Sequence, residues 1–372
     1  MKTVVLATGG TGGHIYPAVA VAKALAAHGL EAAFIGQAAG LEARIVPAEG
    51  LPFYGVRAGK WHRGRPDPRQ AGQAALGLRD AVALVRRLRP ALVLGFGGFA
   101  SFPALAAARF LGVPYALHEQ NAFPGKVTRW FARGARFVAA AEAEVNAHLP
   151  VRTVVVGMPV REERLDRAAA RRQLGLPEVA TLTLVMGGSQ GSLALNEAVP
   201  GAFIALPQRS RSNLSVLHSS GPAHLESTRG RTAGLAGYRV DAYVESVLAW
   251  SAADLAITRG GNGTLAEAAF HGVPLIVVPL PTAAEDHQLH NARAVAAAGA
   301  GVVVEEAALS TLAEVWRDLL EPDTRAQLSA RARSRSPEGA AERLAALVAR
   351  TVYGEGQPKV GADETNTMQE TL

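Results

Sequence analysis

The sequence predicts an α/β protein built from two doubly wound parallel sheets. Short, nearly continuous apolar runs alternate with Ala-rich helical runs along most of the chain. Strands of this kind are buried on both faces, which is typical of parallel sheets covered by helices. The pattern restarts near residue 181, where a strand, a Gly-rich turn and a helix follow one another as they do near residue 4. The 372 residues are enough for two domains.

The first half begins with the strand VVLAT (4–8), a Gly-rich turn and a helix that ends at Gly29, a residue typical of helix C-termini. The uncharged stretch 90–108 has the length of a membrane span, but its glycines and proline favour a buried strand, a loop and a helix. Near residue 160 a proline interrupts the pattern, and the charged run REERLDR is expected to start a helix. The further strands predicted in this half are AAFIG, ALVLGF, YALHE, FVAAA and TVVVG.

The second half repeats the alternation and ends in helices predicted within 311–350. Its strands are TLTLVM, LSVLHSSG, ADLAITRGG, PLIVVPLP and AGVVVE. We therefore divide the chain into a domain over 1–160 and a domain over 161–352, whose last helix can pack back on the first domain. The polar, Gly- and Pro-bearing residues 353–372 are expected to form a flexible tail.

The amino-acid composition excludes some kinds of site and indicates the charge of the partner. The chain has no cysteine, which excludes disulfides, thiolate catalysis and Cys-bound metals. Its net charge of +6 is uneven, because residues 1–160 carry 18 Lys and Arg against 8 Asp and Glu, while the remainder carries 20 against 24. A basic first half indicates an anionic surface or substrate, and nucleic acid, anionic lipid and phosphorylated molecules all remain open on charge alone.

Three Gly-rich turns follow predicted strands. Backbone amides and the N-terminus of the next helix can bind an anion at such turns. In open α/β sheets ligands bind beyond the carboxyl ends of the strands, so two facing domains would share a cleft. The dinucleotide fingerprint fails at Ile15, and the sequence has no P-loop, Asp-x-Asp or HExxH motif. The turns are GGTGGH (9–14), GFGGFAS (95–101) and GGSQGS (187–192).

Polar groups follow several of these strands, and each has two interpretations. His14 either satisfies its own helix start or points into the cleft as a proton acceptor or donor. The run HEQNAFPGK (118–126) is either a solvated loop or a surface that binds hydroxyl groups. Glu267 is either a helix-dipole partner or an acceptor for two ribose hydroxyls. Gln288 lies in a polar helix start that could bind sugar hydroxyls.

Taken together, the motifs resemble the MurG family, the bacterial N-acetylglucosaminyltransferases of peptidoglycan synthesis, over about residues 2–350. The resemblance implies a GT-B fold, with two Rossmann-like domains facing across a cleft. It also implies inverting transfer of GlcNAc from UDP-GlcNAc to the C4 hydroxyl of MurNAc in undecaprenyl-pyrophosphoryl-MurNAc-pentapeptide (lipid I), giving lipid II and UDP. No metal or other cofactor is implied. The matching motifs are GGTGGH, GFGGFAS, HEQNAFPGK, GMPVR, GGSQGS…LN, RGGNGTLAEA and PLPTAAEDHQLHNA.

The resemblance also implies roles for individual residues. His14 is the first candidate for the base that acts on the acceptor, and Glu119 is the second. Glu267 is expected on the ribose, and Gln288 on the GlcNAc hydroxyls. Two positions depart from the family pattern, Met158 in place of Asn and 260–262 in place of Ser-Gly-Ala. The full set of implied donor contacts is Thr11, Gly12, Gly13, Asn121 (GlcNAc), Arg161, Ser189 (phosphate), Val244 (uracil, through its backbone), Asn262, Gly263, Thr264, Leu265, Ala266, Glu267 and Gln288.

A lipid-linked acceptor implies a peripheral protein on the cytoplasmic side of the cell membrane, in contact with anionic lipids. Residues 69–89 and 128–136 combine apolar and basic side chains and are the candidate docking segments, although ordinary helices with a solvated basic face would look similar. The alternatives are another GT-B nucleotide-sugar enzyme, namely a lipid or natural-product glycosyltransferase or a UDP-GlcNAc 2-epimerase, and a non-catalytic binding module. Nucleic acid is not expected as a partner, because aromatic residues make up only 6% and no RNA- or DNA-binding signature occurs.

Overall fold

Two parallel sheets, each with helices on both faces, organise the computed structural model, which describes residues 1–57, 68–188, 190–283 and 286–354. The first sheet has seven strands, and all of its neighbouring strands run parallel. The strands are β1 (Lys2–Ala7), β2 (Leu30–Gln37), β3 (Phe53–Val56), β4 (Leu92–Gly95), β5 (Tyr115–Glu119), β6 (Val138–Ala140) and β7 (Val154–Val155). The helices of this half are α1 (Gly12–Ala27), α2 (Glu42–Ala48), α3 (Pro68–Leu88), α4 (Phe102–Leu111) and α5 (Lys126–Phe131).

The second sheet has six strands, which are also all parallel. They are β8 (Thr181–Met186), β9 (Leu214–Ser219), β10 (Tyr238–Asp241), β11 (Leu255–Thr258), β12 (Leu275–Val277) and β13 (Gly301–Val303). The helices are α6 (Arg167–Leu174), α7 (Leu193–Ala205), α8 (Gln208–Arg211), α9 (Leu225–Thr232), α10 (Ser246–Ala252), α11 (Asn262–His271), α12 (His287–Ala297), α13 (Leu312–Leu320), α14 (Pro322–Ser334) and α15 (Ala340–Tyr353).

Both sheets share one strand order. The first is β3-β2-β1-β4-β5-β6-β7 and the second is β10-β9-β8-β11-β12-β13. In each, the chain moves outward from one strand, then returns to the other side of that strand and continues in the opposite direction. The order therefore reverses between β1 and β4 and again between β8 and β11. These two switch points are where doubly wound sheets form a crevice for ligands.

The central strands are apolar on both faces because helices cover both sides. Val4 to Ala7 of β1 and Leu92 to Gly95 of β4 are all buried. In the first half, one core lies between the sheet and α1, and another lies between the sheet and helices α3 and α4. The second half likewise has two cores, one on each face of its sheet. The sequence-based prediction of two doubly wound parallel sheets is confirmed.

The last described helix, α15, packs on α1 rather than on the second sheet. Leu344, Ala345 and Val348 are fully buried and belong to the same core as Val4 and Leu25. At its end, the Tyr353 hydroxyl donates to the Gly29 carbonyl at 3.0 Å. The proposed boundary at residue 160 lies between the sheets and stays a prediction, and most of the predicted tail lies outside the described residues.

One local prediction is confirmed by the structure, and two differ from it. The uncharged stretch 90–108 contains β4, a 3-10 turn and the start of α4, as expected. The first helix begins at Gly12, within the Gly-rich turn (9–14) that is expected to precede it. The charged run after residue 160 is not helical until Arg167, because Asp166 caps that helix through the Ala169 amide. Within the described residues no helix has the length and apolarity needed to cross a bilayer.

Candidate active site

Four Gly-rich loops lie at the two switch points. They follow β1 (Gly9–Gly13), β4 (Gly95–Gly98), β8 (Gly187–Gly191) and β11 (Gly260–Gly261). The predicted cleft needs these loops from the two halves to meet, and they do. An ideal Cβ built on Gly263, in the first turn of α11, would lie 3.6 Å from the Cα of Gly13 in the first turn of α1. The N-termini of α1 and α11 therefore converge, and neither has a side-chain cap.

His14 lies in the first turn of α1, where the first two loops meet. Its Nδ1 is 3.0 Å from the Thr11 hydroxyl, and its carbonyl accepts from the Thr8 hydroxyl at 2.7 Å. Its Nε2 faces the second loop, because a Cβ on Gly98 would lie 3.4 Å from it. Burial is the main reason that the pKa of His14 is lowered to about 4, and the electrostatic effects of His287 and His118 are smaller contributions to the same shift. The imidazole is therefore neutral at physiological pH.

The first Gly-rich loop rests on a buried carboxylate that the motifs did not reveal. Glu42 is fully buried, and its oxygens accept from the Gly10 amide at 3.2 Å and the Gln37 amide at 2.8 Å. A Cβ on Gly9 would lie 2.1 Å from this carboxylate, and one on Gly36 or Gly40 would also collide with it. Glu42 therefore holds the Gly10 amide and fixes the first Gly-rich loop against β2.

Glu119 organises its own loop. It is 2% exposed, and its carboxylate accepts from the Asn121 amide and side chain, the Gly125 amide and the Thr128 hydroxyl. Burial raises the pKa of Glu119, while these four hydrogen bonds oppose the rise. Because both oxygens are engaged inside the loop, this geometry does not favour Glu119 as the base. Its catalytic role stays a prediction.

Asn291 joins the two halves and was not among the predicted site residues. It is 2% exposed, accepts from the Ala122 amide at 3.0 Å, and donates to Asn121 Oδ1 at 3.2 Å and to the Gly260 carbonyl at 3.1 Å. Nearby, the Asn262 side chain donates to the Gln120 carbonyl. The predicted GlcNAc contact Asn121 therefore lies in a polar junction between β5 and α12.

Predicted residues on α11 divide into two groups. Leu265 and Ala266 are buried against apolar side chains, so only their backbone could contact a donor. Gly263 and Thr264 are half-buried at the helix start. Glu267 is half-buried, its Oε2 accepts from the Trp250 indole Nε1 at 2.9 Å, and burial raises its pKa, with hydrogen bonds from Trp250 and Ser246 opposing the rise.

Hydrogen bonds of Ser192, which follows the loop after β8, fix the end of that loop. Ser192 caps α7 by accepting from the Leu195 amide at 3.4 Å, and it also accepts from Arg259 Nε at 2.9 Å. Arg259 is 9% exposed and pairs with Glu306 at 2.7 Å. Ser189, the predicted phosphate contact, lies outside the described residues.

Three predicted residues remain, namely Gln288, Arg161 and Val244. Gln288 Oε1 accepts from the Gly260 amide at 3.1 Å and the Leu280 amide at 3.0 Å, so it ties the loops after β11 and β12. Arg161 is exposed, with Nε 3.0 Å from Glu163 and Nη1 3.6 Å from Glu245. Val244 is partly buried against the second-domain core, directly before α10.

The linker departure at Met158 has a packing consequence. Met158 is 2% exposed and forms an apolar cluster with Val160, Ala141, Ala266 and Phe270. Because Ala266 and Phe270 belong to α11, the thioether side chain joins the two halves by apolar contact.

Within the described residues, no three His, Asp or Glu side chains are grouped closely enough to bind a metal ion.

Family models match both halves. Residues 4–140 match the glycosyltransferase family 28 N-terminal domain, and residues 182–344 match the glycosyltransferase family 28 C-terminal domain. Together the matched segments cover most of the chain. The gap between them, 141–181, contains the linker and α6.

Curated relatives match over nearly their whole length. A Deinococcus radiodurans protein is 48% identical over 94% of this chain and 95% of its own, and a Thermus thermophilus protein is 45% identical over 93% and 98%. Both are described as UDP-N-acetylglucosamine–N-acetylmuramyl-(pentapeptide) pyrophosphoryl-undecaprenol N-acetylglucosamine transferases.

Solved structures place the fold. The crystal structure of Acinetobacter baumannii MurG matches with a TM-score of 0.76 and 29% identity, over 94% of this chain and 99% of that chain. The kitacinnamycin glycosyltransferase and a putative UDP-N-acetylglucosamine 2-epimerase from Listeria monocytogenes each match with a TM-score of 0.69, at 19% and 15% identity, and share only the fold. The predicted GT-B architecture is confirmed, and the chain belongs to the MurG family within glycosyltransferase family 28.

Proposed function

We propose that this protein transfers GlcNAc from UDP-GlcNAc to the C4 hydroxyl of MurNAc in lipid I, releasing UDP and giving lipid II. The observation that carries the proposal is the meeting of the α1 and α11 N-termini, where Gly263 faces Gly13 next to His14. The names of the relatives at 45–48% identity give the same donor and acceptor. The reaction forms one C–O bond to the sugar C1 and breaks the C1–O bond to the diphosphate.

His14 supplies the base in this proposal. With Nδ1–H donating to the Thr11 hydroxyl, Nε2 carries the lone pair and faces the loop at Gly98. Nε2 takes the C4 proton as the hydroxyl oxygen attacks C1. A neutral imidazole is required for this step, and the pKa of about 4 provides it.

The leaving UDP gains negative charge at its terminal phosphate. The uncapped amides at the start of α11 stabilise that charge, because a helix N-terminus carries a partial positive charge and unsatisfied donors. Ser189 remains the proposed phosphate contact and Arg161 a further proposed donor contact. Val244 is the proposed uracil contact, and Gln288 and Asn121 are the proposed GlcNAc contacts. Glu267 is the proposed ribose acceptor.

A lipid-linked acceptor brings the enzyme to the cytoplasmic membrane surface. We assign the docking face to an exposed aromatic cluster, defined as Phe99, Phe102 and Trp130. Phe99 and Phe102 stack at 5.8 Å, and Trp130 meets Phe102 edge-on at 6.0 Å. Trp130 is 55% exposed, and the exposed Lys126 and Arg133 flank it. Along α3, by contrast, Ala81 and Val85 face the core, whereas Leu78 is exposed.

The docking face is tested by co-sedimentation with vesicles of phosphatidylcholine alone and with added phosphatidylglycerol. Binding should require the anionic lipid and weaken with salt, because each basic residue near the surface contributes about 1 kcal/mol. Trp130→Ala should weaken binding several-fold. Ile204→Ala, which removes a 52% exposed apolar side chain from α7, should leave binding unchanged. Equal binding by wild type and Trp130→Ala would place the docking face elsewhere.

The reaction itself is tested by UDP release from UDP-GlcNAc with and without a soluble lipid I analogue. Release that depends on the acceptor supports the transferase. A 2-epimerase would instead convert UDP-GlcNAc without the acceptor, and a glycosyltransferase for another acceptor would release no UDP with the lipid I analogue. Either result would overturn the assignment.

A further inference from the structure

Helix α10 presents two hydrogen-bond donors to one carboxylate of the neighbouring helix. Trp250 is 1% exposed, and its Nε1 donates to Glu267 Oε2 at 2.9 Å. The Ser246 side chain, four residues earlier, lies near the same carboxylate and opposes the rise in its pKa. Residues four apart lie on one face of a helix. The sequence therefore builds a two-point support for Glu267 from the face of α10 that meets α11.

The support matters because the carboxylate is poorly solvated. Burial raises the pKa of Glu267, and the negative charge of Glu245 acts in the same direction, while the donors from Trp250 and Ser246 oppose it. An indole N–H can only donate. It therefore favours the ionised carboxylate and keeps Oε2 in an acceptor role.

Two donors leave part of the carboxylate for a ligand. An ionised carboxylate has about four lone-pair positions, so α10 occupies about half of them. The remaining positions match two vicinal hydroxyls, each of which has one hydrogen to donate. A nucleotide that lacks those hydroxyls would leave these lone-pair positions of the carboxylate without donors.

Helix α10 also begins next to Val244, the residue proposed to contact uracil. Glu245 caps α10 by accepting from the Leu248 amide at 2.7 Å, and it lies 3.6 Å from Arg161. Val244 immediately precedes it. About one and a half turns of α10 therefore connect Val244, the residue proposed to contact uracil, to Trp250, which supports the Glu267 carboxylate.

We propose that Trp250 and Ser246 are positioning residues that make the donor site select a ribonucleoside diphosphate over one lacking the vicinal hydroxyls. They act through Glu267, by fixing its carboxylate where the ribose hydroxyls can donate to it. The inference rests on the proposed function, because it takes a uridine diphosphate sugar as the donor.

The test measures the binding of UDP and of 2′,3′-dideoxyuridine diphosphate by titration calorimetry. Wild type should bind UDP more tightly. Trp250→Phe should weaken UDP about 10-fold, or about 1.4 kcal/mol, and leave the dideoxy nucleotide unchanged. Ser246→Ala should weaken UDP by a smaller factor, about threefold. In turnover, both variants should raise KM for UDP-GlcNAc with kcat within about twofold, since the contact is to a part of the donor that does not react.

The chain offers a matched control in Trp316. It is equally buried, and its Nε1 donates to the Thr183 hydroxyl at 3.1 Å in the second-domain core. Trp316→Phe should reduce thermal stability and leave the preference for UDP over the dideoxy nucleotide unchanged. That preference therefore separates positioning from packing.

The outcomes are distinct. If Trp250→Phe weakens both nucleotides equally, Trp250 only packs and the inference is wrong. Should Trp250→Phe fail to fold, Ser246→Ala carries the test, since Ser246 is half-buried at the start of α10. Loss of the preference in Glu267→Gln but not in Ser246→Ala or Trp250→Phe would overturn the inference and leave the proposed function intact. A wild type that binds no UDP would overturn the proposed function itself.

Discussion

Glu42 shows how glycines can be required by a side chain rather than by a turn. Gly9, Gly36 and Gly40 surround its carboxylate so closely that a Cβ at any of them would overlap it. The φ angle of Gly36 is not left-handed, so the space around it is its only constraint. The GTGGH motif therefore depends on a second run, GQAAGLE, which supplies both the carboxylate and the room for it.

A matched pair of glycine substitutions tests this account. Gly36→Ala should destabilise the protein by several kcal/mol, because its Cβ would lie 2.7 Å from the Thr8 carbonyl, a backbone atom that cannot turn aside. Gly72→Ala, in α3 with no atom near its Cβ, should stabilise it by about 0.5–1 kcal/mol. Chemical denaturation of the two variants checks the signs. Equal effects would show that the space around Glu42 is not the constraint.

His14 provides a second prediction at this scale. His14→Gln should lower kcat by about 100-fold or more, because general base catalysis contributes about 10²–10⁴. The acid limb of kcat/KM should lie well below the ordinary histidine value of 6.5, since the pKa of His14 is about 4. His28→Gln, at an exposed pair with Glu342, serves as the control. A kcat unaffected by the His14 change would remove His14 from the chemistry.

Individual site residues differ in how visible they are in the sequence. His14 and Glu119 follow apolar strands and Gly-rich turns, so local pattern was enough to select them. Glu42, Trp250 and Asn291 were missed because their partners are distant or lie across the domain junction, as with the 169 positions between Ala122 and Asn291. Such contacts depend on how the sheets are placed, which no local pattern contains.

At the scale of elements, the strands that the sequence missed lie at the sheet edges. β3 (FYGV) and β10 (YRVD) are the outermost strands of their sheets. Edge strands are short and only partly covered, so they lack the continuous apolar run that identifies a central strand. The central strands β1, β4, β8 and β11 were all predicted, because burial on both faces leaves a clear pattern.

Helix α15 gives the prediction that belongs to elements. Leu344→Ala should cost about 2–5 kcal/mol, because it opens a cavity in the core shared with α1. Arg350→Ala, on the exposed side of the same helix, should have little effect.

In addition, a fragment of residues 1–160 should unfold more readily than the same fragment mixed with a peptide of residues 338–354. Thermal unfolding measures both effects, and a fragment of full stability alone would contradict this packing account.

At the scale of the whole molecule, buried histidines predict sensitivity to acid. Burial lowers the pKa of both His118 and His218 to about 4, so each is neutral in the folded protein. Below about pH 6.5 the unfolded chain binds these protons and the folded chain does not. The free energy of unfolding therefore falls as pH decreases from about 6.5 to about 4.

A substitution in the His218 network isolates one contribution. His218 lies 2.8 Å from both the Tyr238 hydroxyl and Asn196 Oδ1 in the second-domain core. His218→Gln retains an amide that can bond these partners and removes the titration. Between pH 6.5 and 4.5 the wild type should lose up to about 1.4 kcal/mol per pH unit more than the variant. Parallel losses in denaturant titrations at these pH values would contradict the assignment.

The packing of α15 on α1 also has a consequence during protein synthesis. The Lys2 ammonium donates to the Val352 carbonyl across 350 positions, and the core around Leu25 is closed by Leu344. At about 5–20 residues per second, a ribosome needs roughly 15–65 s to make the chain between those two leucines. During that interval the part of α1 that α15 covers in the folded protein remains exposed. The core of the first domain therefore closes only after the second domain has been synthesised.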